Sequence, residues 1–482
     1  MSETSLKEKT AKGLLWGGLS NGIVQVLNLT VGICLLQLLA PEDYGTVQVL
    51  TIFSSVASNL QESGFTAALA NKKEPEHRDY NAVFWFNVLT GAVLYLILFC
   101  CAPLIADFYN EPALTPLARF SFLSFLISGW GIAQRAYLFG HLMVKQSSII
   151  FITALVVSGL SSILMAWYGL AYWGLAAQGV IFVTVVMLMN WAYSPWRPTL
   201  EWDFRPIRDM FGFSSKLLVT NLFQQINRNV FSVLLGRFYT REMTGYYGNA
   251  SRWNDMGIGT IDSMVSGVAQ PTLTQVKNDP ERYIQVFRKM LRFTSFISFP
   301  CMFGLALVAP EFIRLAAGER WMPSVPYLQM LCVYGAFYPL TTLYSKLVIS
   351  KGKSDINLVN TIATCLCIWL ALYLAHPYGI ETMITAFVCI NVLWLLMWHF
   401  FIRRLIAFRL MEALADILPF AFIAAAVMLV TAVITRPIEA PMLLLPAKII
   451  TAAGLYAGTL YLTRAEILRE SIRFLLKKKN KA

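Results

Sequence analysis

Long apolar segments recur along the whole chain, and Lys and Arg crowd into every second connection between them. A helix needs about 20 apolar residues at ~1.5 Å rise to cross ~30 Å of hydrocarbon, and about fourteen such stretches can be counted here. Helices satisfy their own backbone in lipid, so the pattern predicts an all-α integral membrane protein. The composition, 57% hydrophobic against 14% charged over 482 residues, is too apolar for an ordinary soluble domain. A formal charge of +12 would suggest nucleic acid in a soluble chain. Here the positive residues flank helix ends, where anionic lipid headgroups attract them, and no nucleic-acid partner is expected.

The segments run over 13–39, 44–70, 81–106, 113–138, 146–168, 170–194, 209–237, 243–275, 290–310, 324–349, 355–375, 380–402, 415–435 and 442–463. Turn and helix-stop residues separate them, as at Ala40-Pro41-Glu42-Asp43, Asn278-Asp279-Pro280 and Gly352-Lys353-Ser354-Asp355. One set of connections, with both termini, carries about 29 Lys and Arg, whereas the other holds about 5 (Arg237, Arg241, Arg314, Arg320 and Arg436). The positive-inside rule then puts both termini in the cytoplasm and requires an even number of crossings. The expected location is a bacterial inner (cytoplasmic) membrane, with multiple passes. Met1 to Lys12 is polar and lacks a short apolar run before a small-residue cleavage site, so no removed signal peptide is expected. The eight Cys lie in or beside apolar segments without Cys-x2-Cys pairs, which predicts buried thiols in helices rather than a metal site or disulfide.

An internal repeat appears at an offset of 200 residues. Asn21, Gln25, Asn28 and Gly32 fall on Asn221, Gln225, Arg228 and Ser232, at steps of four, three and four that share one helix face. In the next segment Thr51, Ser55, Asn59 and Glu62 fall on Ser251, Asp255, Gly259 and Asp262, and Gly45 and Gly245 follow the preceding turn in each half. Farther on, Ala102-Pro103 matches Ala309-Pro310 at a slightly larger offset. A duplicated six-helix unit organises the chain as a bundle over 1–194, a cytoplasmic connection over 195–208 and a second bundle over 209–405. Extra helices 13 and 14 follow over 406–463, then a basic amphipathic tail over 464–482. Six crossings return the chain to its starting side, so the halves are parallel repeats about an axis along the membrane normal.

Ionisable residues at membrane depth cost at least ~2.5 kcal/mol each, so they face a cavity or one another. Arg252, Asp255, Gly259, Asp262 and Ser266 step by three and four along segment 8. One reading is an amphiphilic cavity lined by segments 1, 2, 7 and 8. There Arg228, Arg252 and Arg119 would receive an anionic headgroup by bidentate bonds, and Asn21, Gln25, Gln225 and Asn59 would bond sugar hydroxyls. Glu62, Asp255 and Asp262 are the candidates for carrying a coupling proton or sodium ion. The other reading is structural: Arg252 pairs with Asp255, and Arg228 bonds protein carbonyls. No catalytic residues, metal ligands or other cofactor are expected. Lys351-Gly352-Lys353-Ser354 lacks the upstream Gly of a phosphate loop, and the four His show no ligand spacing.

Several stretches carry a family resemblance. They are Leu6-Lys7-Glu8-Lys9-Thr10, Gly64-Phe65 leading to Lys72-Lys73-Glu74 and His77, Phe84-Trp85-Phe86-Asn87-Val88, Gly318-Glu319-Arg320-Trp321, and Pro326-Tyr327-Leu328-Gln329-Met330-Leu331-Cys332. With these the chain resembles the polysaccharide transporter branch of the multidrug/oligosaccharidyl-lipid/polysaccharide exporters, and within it the Wzx-type, colanic-acid-exporter-like flippases. The resemblance implies two six-helix bundles facing a central cavity, two further helices, and export of an undecaprenyl-diphosphate-linked oligosaccharide between leaflets. Lipid-linked oligosaccharide and membrane lipids are the expected partners, with other polysaccharide assembly proteins. The function expected is therefore ion-coupled flipping of a glycan repeat unit by alternating access. A drug or metabolite exporter of the same superfamily is the first alternative and a membrane glycan polymerase the second, disfavoured by the short outer connections.

Overall fold

In a computed structural model the chain is described over residues 3–62, 69, 75–141, 143–276, 279–438 and 440–463. The side chains of 3–19, 21, 62, 209–221, 224, 228, 267–268, 270–271 and 354 are excepted. The described residues form helices and no strands. In order they are α1 (Glu3–Leu38), α2 (Pro41–Gln48), α3 (Thr51–Glu62), α4 (His77–Phe108), α5 (Leu114–Gly129), α6 (Ile132–Gly140), α7 (Val144–Trp167) and α8 (Ala171–Tyr193). Then come α9 (Arg205–Phe238), α10 (Arg241–Gln275), α11 (Pro280–Ala317), α12 (Ser324–Ser350), α13 (Ser354–Ala375), α14 (Ile380–Ile406), α15 (Leu410–Ile434) and α16 (Pro441–Leu462). The tail over 464–482 lies outside the described residues.

Among the described residues, eight helices are long and apolar enough to cross a membrane, or ten if the bent pairs Gly22–Leu38 with Pro41–Gln61 and Leu114–Gly129 with Ile132–Gly140 are each counted as one span. The expected count of fourteen is larger, and α9, α10 and α12 account for most of the gap. In α9 the described side chains leave Asn229–Phe238 as a shorter apolar helix, and α10 carries a polar stripe, which lowers its apolar content below that of a lipid-surrounded span. Nor are the thiols uniformly buried. Cys332 and Cys365 are, whereas Cys100, Cys301, Cys367 and Cys389 are exposed on helix surfaces.

The chain divides into two compact units, Met1–Gly245 and Tyr246–Ala482. In the first, α4 and α5 pack along their length, and α8 adds to the same layer. Their shared core holds Ala102, Leu117, Ala118, Phe122 and Phe125 together with Val49, Leu50 and Ala57 from the α2–α3 region. Gln61 enters this layer beside Gly91 and Gly129, where its amide donates to the Phe125 carbonyl at 2.7 Å and its carbonyl accepts from the Ser128 hydroxyl at 2.6 Å. Helix α9, which the repeat assigns to the second bundle, packs in this unit against α3 and α4. A buried polar residue is tolerated in such a layer because its hydrogen-bonding groups find partners on the neighbouring helices.

Pro103, Pro300 and Pro310 lie inside continuous helices. Proline lacks the N–H that would bond the carbonyl four residues earlier, and in lipid that carbonyl needs another donor. Each of the three has one. Arg119 Nε on α5 donates to the Phe99 carbonyl at 3.5 Å. Gln329 Nε2 on α12 donates to Ala306 at 3.1 Å, and the Tyr456 hydroxyl on α16 donates to Phe296 at 3.1 Å. Two of these match across the repeat: Pro103 and Pro310 interrupt the third helix of each set, and the donor comes from the fourth. At Pro280, by contrast, the helix does start, with Asp279 as N-cap accepting from the Arg282 amide at 3.1 Å.

In the second unit α11 is the central element, packed against α12, α15 and α16. The extra helices α15 and α16 touch α11 and each other. Between α14 and α15 the chain turns through Ala407 in the left-handed region, φ 51°, a conformation that costs a residue with a Cβ roughly 1 kcal/mol. The turn delivers Phe408 into the interior, edge-on to Phe287 with ring centres 5.7 Å apart and beside His399 at 5.5 Å.

Candidate functional site

Helix α10 has two dissimilar faces. On one, Trp253, Asn254, Ile258 and Ile261 are buried. Trp253 meets the edge of Phe312 at 4.8 Å, and Gly257 leaves room for the Met302 thioether of α11. Gly335 of α12 does the same for Asn254, whose Oδ1 would lie 2.6 Å from a Cβ there. On the other face Asp255, Gly259 and Ser263 are exposed, with Arg252, Asp262 and Ser266 half-buried. The face is therefore only partly covered over about four turns.

Along this face polar groups are linked. The Tyr247 hydroxyl bonds Ser251 and lies within electrostatic reach of Asp255, and the Ser251 hydroxyl reaches Asp255 Oδ2 at 3.4 Å. Asp262 differs from Asp255. Its Oδ1 is covered and has no hydrogen-bond partner among the described residues, which leaves an open position on the carboxylate. Sequence steps of three and four brought these residues together correctly, because the helix runs unbroken from Arg241 to Gln275.

In the first unit, Gln25 on α1 is exposed, while Asn59 on α3 and Gln225 on α9 are half-buried. The Asn59 amide donates to the Ser55 carbonyl of its own helix at 2.9 Å, and Gln225 supplies a backbone carbonyl to Asn229 at 2.9 Å. The side chains of Asn21, Glu62 and Arg228 lie outside the described residues. Arg119 stands apart from this group. Besides bonding the Phe99 carbonyl, its guanidinium lies 4.3 Å from the Phe99 ring centre, so contacts between α4 and α5 already account for it.

Two ionic groups of the second unit escaped the sequence reading. Asp416 of α15 is 2% exposed and takes Arg288 Nε at 2.7 Å, Arg288 Nη2 at 3.2 Å and Arg292 Nε at 2.6 Å. Glu412 adds a contact to Arg288 at 3.3 Å. Lys448 of α16 pairs with Glu311 of α11 at 2.8 Å and also donates to the Leu307 carbonyl at 3.2 Å. Both groups join an extra helix to α11, and neither touches the open face of α10. An acidic residue at the start of an apolar run facing two Arg one helical turn apart was the available signal for the first.

Residues 34–326 match the family described as polysaccharide biosynthesis protein. The chain belongs to that family. It is 24% identical over 359 residues to the lipopolysaccharide biosynthesis protein WzxC of Escherichia coli, covering 73% of this chain and 72% of that one. It is 24% identical over 346 residues to the succinoglycan biosynthesis transport protein ExoT of Rhizobium meliloti, covering 71% and 69%. Among solved structures it is similar to the lipid II flippase MurJ in an inward closed conformation, with a TM-score of 0.78 at 15% identity over 94% of this chain and 100% of that one. The chain therefore has the MurJ-like all-helical transporter fold within a family of multi-pass membrane proteins of polysaccharide biosynthesis.

Proposed function

We propose that this protein is a flippase of a bacterial inner membrane. It moves an undecaprenyl-diphosphate-linked oligosaccharide repeat unit from the cytoplasmic to the outer leaflet by alternating access, for surface polysaccharide assembly. The observation that carries this reading is the two-faced α10. A helix in a membrane fold that keeps Arg252 and Asp262 half-buried and Asp255 exposed along one face calls for water or a polar ligand beside it. A diphosphate with sugars is such a ligand. It cannot enter hydrocarbon, while its isoprenoid can remain in lipid.

In this reading Arg252, with Arg228 from the preceding helix, receives the diphosphate through its planar fork of donors, and Asn21, Gln25, Asn59 and Gln225 bond sugar hydroxyls. Asp262 is the group we assign to a coupling proton or sodium ion, because its covered Oδ1 has no donor among the described residues. In this reading the chain makes fourteen crossings, an even number. The positive-inside asymmetry puts both termini in the cytoplasm. No chemical step on the glycan belongs to this role, and other polysaccharide assembly proteins would supply and receive the repeat unit.

The test compares Arg252→Gln with the double change Arg252→Gln, Asp255→Asn. Charge-assisted bonds to phosphate contribute roughly 1.5–3 kcal/mol each, so the single change should reduce export at least about tenfold. If Arg252 binds phosphate, the double variant stays as poor while still inserting normally. Recovery of export in the double variant would reduce Arg252 to a partner of Asp255 and sink this assignment.

A further inference from the structure

The duplicated turns meet each other. Helices α2 and α10 start in the same register of the repeat, with Pro41 and Arg241 as their first residues and Gly45 and Gly245 four positions on. A Cβ added to Gly45 would fall on the Arg241 carbonyl oxygen, and a Cβ added to Gly245 would fall on the Pro41 carbonyl oxygen. The first turns of two repeat-related helices therefore cross at their glycines, each backbone seated on the other's carbonyl. Contact this close is open only to residues without a side chain, and Cα–H donors facing carbonyl oxygens make it weakly attractive.

Neighbouring contacts in the same unit brace the crossing. Arg241 pairs with Glu111 at the end of the α4–α5 turn, and the Arg237 guanidinium lies 5.3 Å from the Phe108 ring centre. One helical turn deeper, Gln48 Nε2 donates to Ser232 Oγ at 3.1 Å. Gly236 is closed in by Val49 and by Tyr109, whose ring carbon would sit 2.9 Å from an added Cβ. These residues occupy the end of the unit to which the positive-inside asymmetry assigns the outer face. None of these contacts involves the polar face of α10.

We infer that Gly45 and Gly245 form a reciprocal latch that holds the outer end shut and parts as one unit when the transporter opens outward. The inference rests on the alternating-access reading above. Since one added Cβ wedges both backbones apart, changing either glycine disrupts the whole crossing. The single variants should resemble each other, and the double variant should add little. Local strain at two independent sites would instead add.

The test uses the full-length protein in the membrane with Ser263→Cys on the open face of α10 as reporter. Membrane-impermeant maleimide is applied from either side, and label on the chain lacking the reporter is subtracted. Gly45→Val and Gly245→Val should each raise outer-face labelling about tenfold, the double variant should equal them, and Gly179→Val, at a glycine with open space around it, should match the parent. Should the valine variants fail to insert, Arg241→Gln removes a brace without adding bulk. It should raise outer-face labelling by a smaller factor, with restoration by the swap Arg241→Glu, Glu111→Arg. Inner-face labelling of the parent reports the open α10 face independently of the latch. Given that labelling, unchanged outer-face reactivity in the valine variants, or in Arg241→Gln where those do not insert, overturns the latch. Absence of label from both faces in every variant overturns the latch and the cavity reading together.

Discussion

Replacing Asp416 by Asn should loosen the extra helices from α11 more than any other change in that network. The carboxylate is 2% exposed and takes Arg288 at 2.7 Å and Arg292 at 2.6 Å, whereas the two Arg side chains are 28% and 38% exposed. Breaking a fully buried pair costs about 3–5 kcal/mol, but partners open to this degree are screened, which brings the expected loss to about 2–3 kcal/mol. Glu412 is 38% exposed and reaches Arg288 only at 3.3 Å. Its replacement by Gln should cost about 0.5 kcal/mol. Thermal unfolding of the purified protein in detergent, read as loss of the monodisperse species, converts these to midpoints. A unit of this size shifts about 2–4 °C per kcal/mol, so Asp416→Asn should melt about 4–12 °C low and Glu412→Gln within about 2 °C of the parent. Arg292→Gln should fall between them, because Asp416 keeps its two contacts to Arg288. Equal midpoints for Asp416→Asn and Glu412→Gln would refute the ranking by burial and geometry.

Three further outcomes follow from particular contacts. Tyr456→Phe strips the donor from the Phe296 carbonyl and should lower stability in the same assay by about 1–2 kcal/mol, whereas in a Pro300→Ala background, where the helix supplies its own N–H, the loss should largely vanish. Equal losses in both backgrounds would contradict the orphan-carbonyl account. Thr431→Val should leave export and stability close to the parent, since the Thr431 hydroxyl only bonds back to Val427 at 2.8 Å. Loss of transport at normal expression would show that α15 contributes more than packing. For topology, Cys at Lys353 or Arg404 should react with impermeant thiol reagents only once the inner face is opened, and Cys at Glu42 should react from outside. The reverse pattern would invert the orientation.

Local periodicity made some of this molecule readable. Arg252, Asp255, Gly259 and Asp262 share a face because helical spacing decides it, and the offset of 200 anticipated that Gly45 and Gly245 occupy matching turns. Contacts between distant helices were not readable in the same way. Glu311 lies one residue beyond segment 9, yet α11 continues to Ala317, with Gln329 bonding the carbonyl that Pro310 leaves free. Lys448 is a lone charge within the apolar run of segment 14, and its partner falls beyond that boundary. Asp416 sat one residue inside an apolar segment, where hydropathy outweighs a single charge. Arg119 was read as a cavity cation on depth alone, whereas the carbonyl it bonds is freed by a proline on another helix.

Transfer between leaflets is the central claim, and it can be measured directly. Purified protein is reconstituted into vesicles loaded with an undecaprenyl-diphosphate oligosaccharide, and an impermeant glycosidase outside reports how much glycan is reachable. In protein-free vesicles digestion should stop near the half exposed at the start. With the protein present it should proceed toward completion, and with Arg252→Gln it should slow at least about tenfold at equal reconstitution. Digestion that stops at the same plateau with and without active, correctly inserted protein would contradict the flippase account.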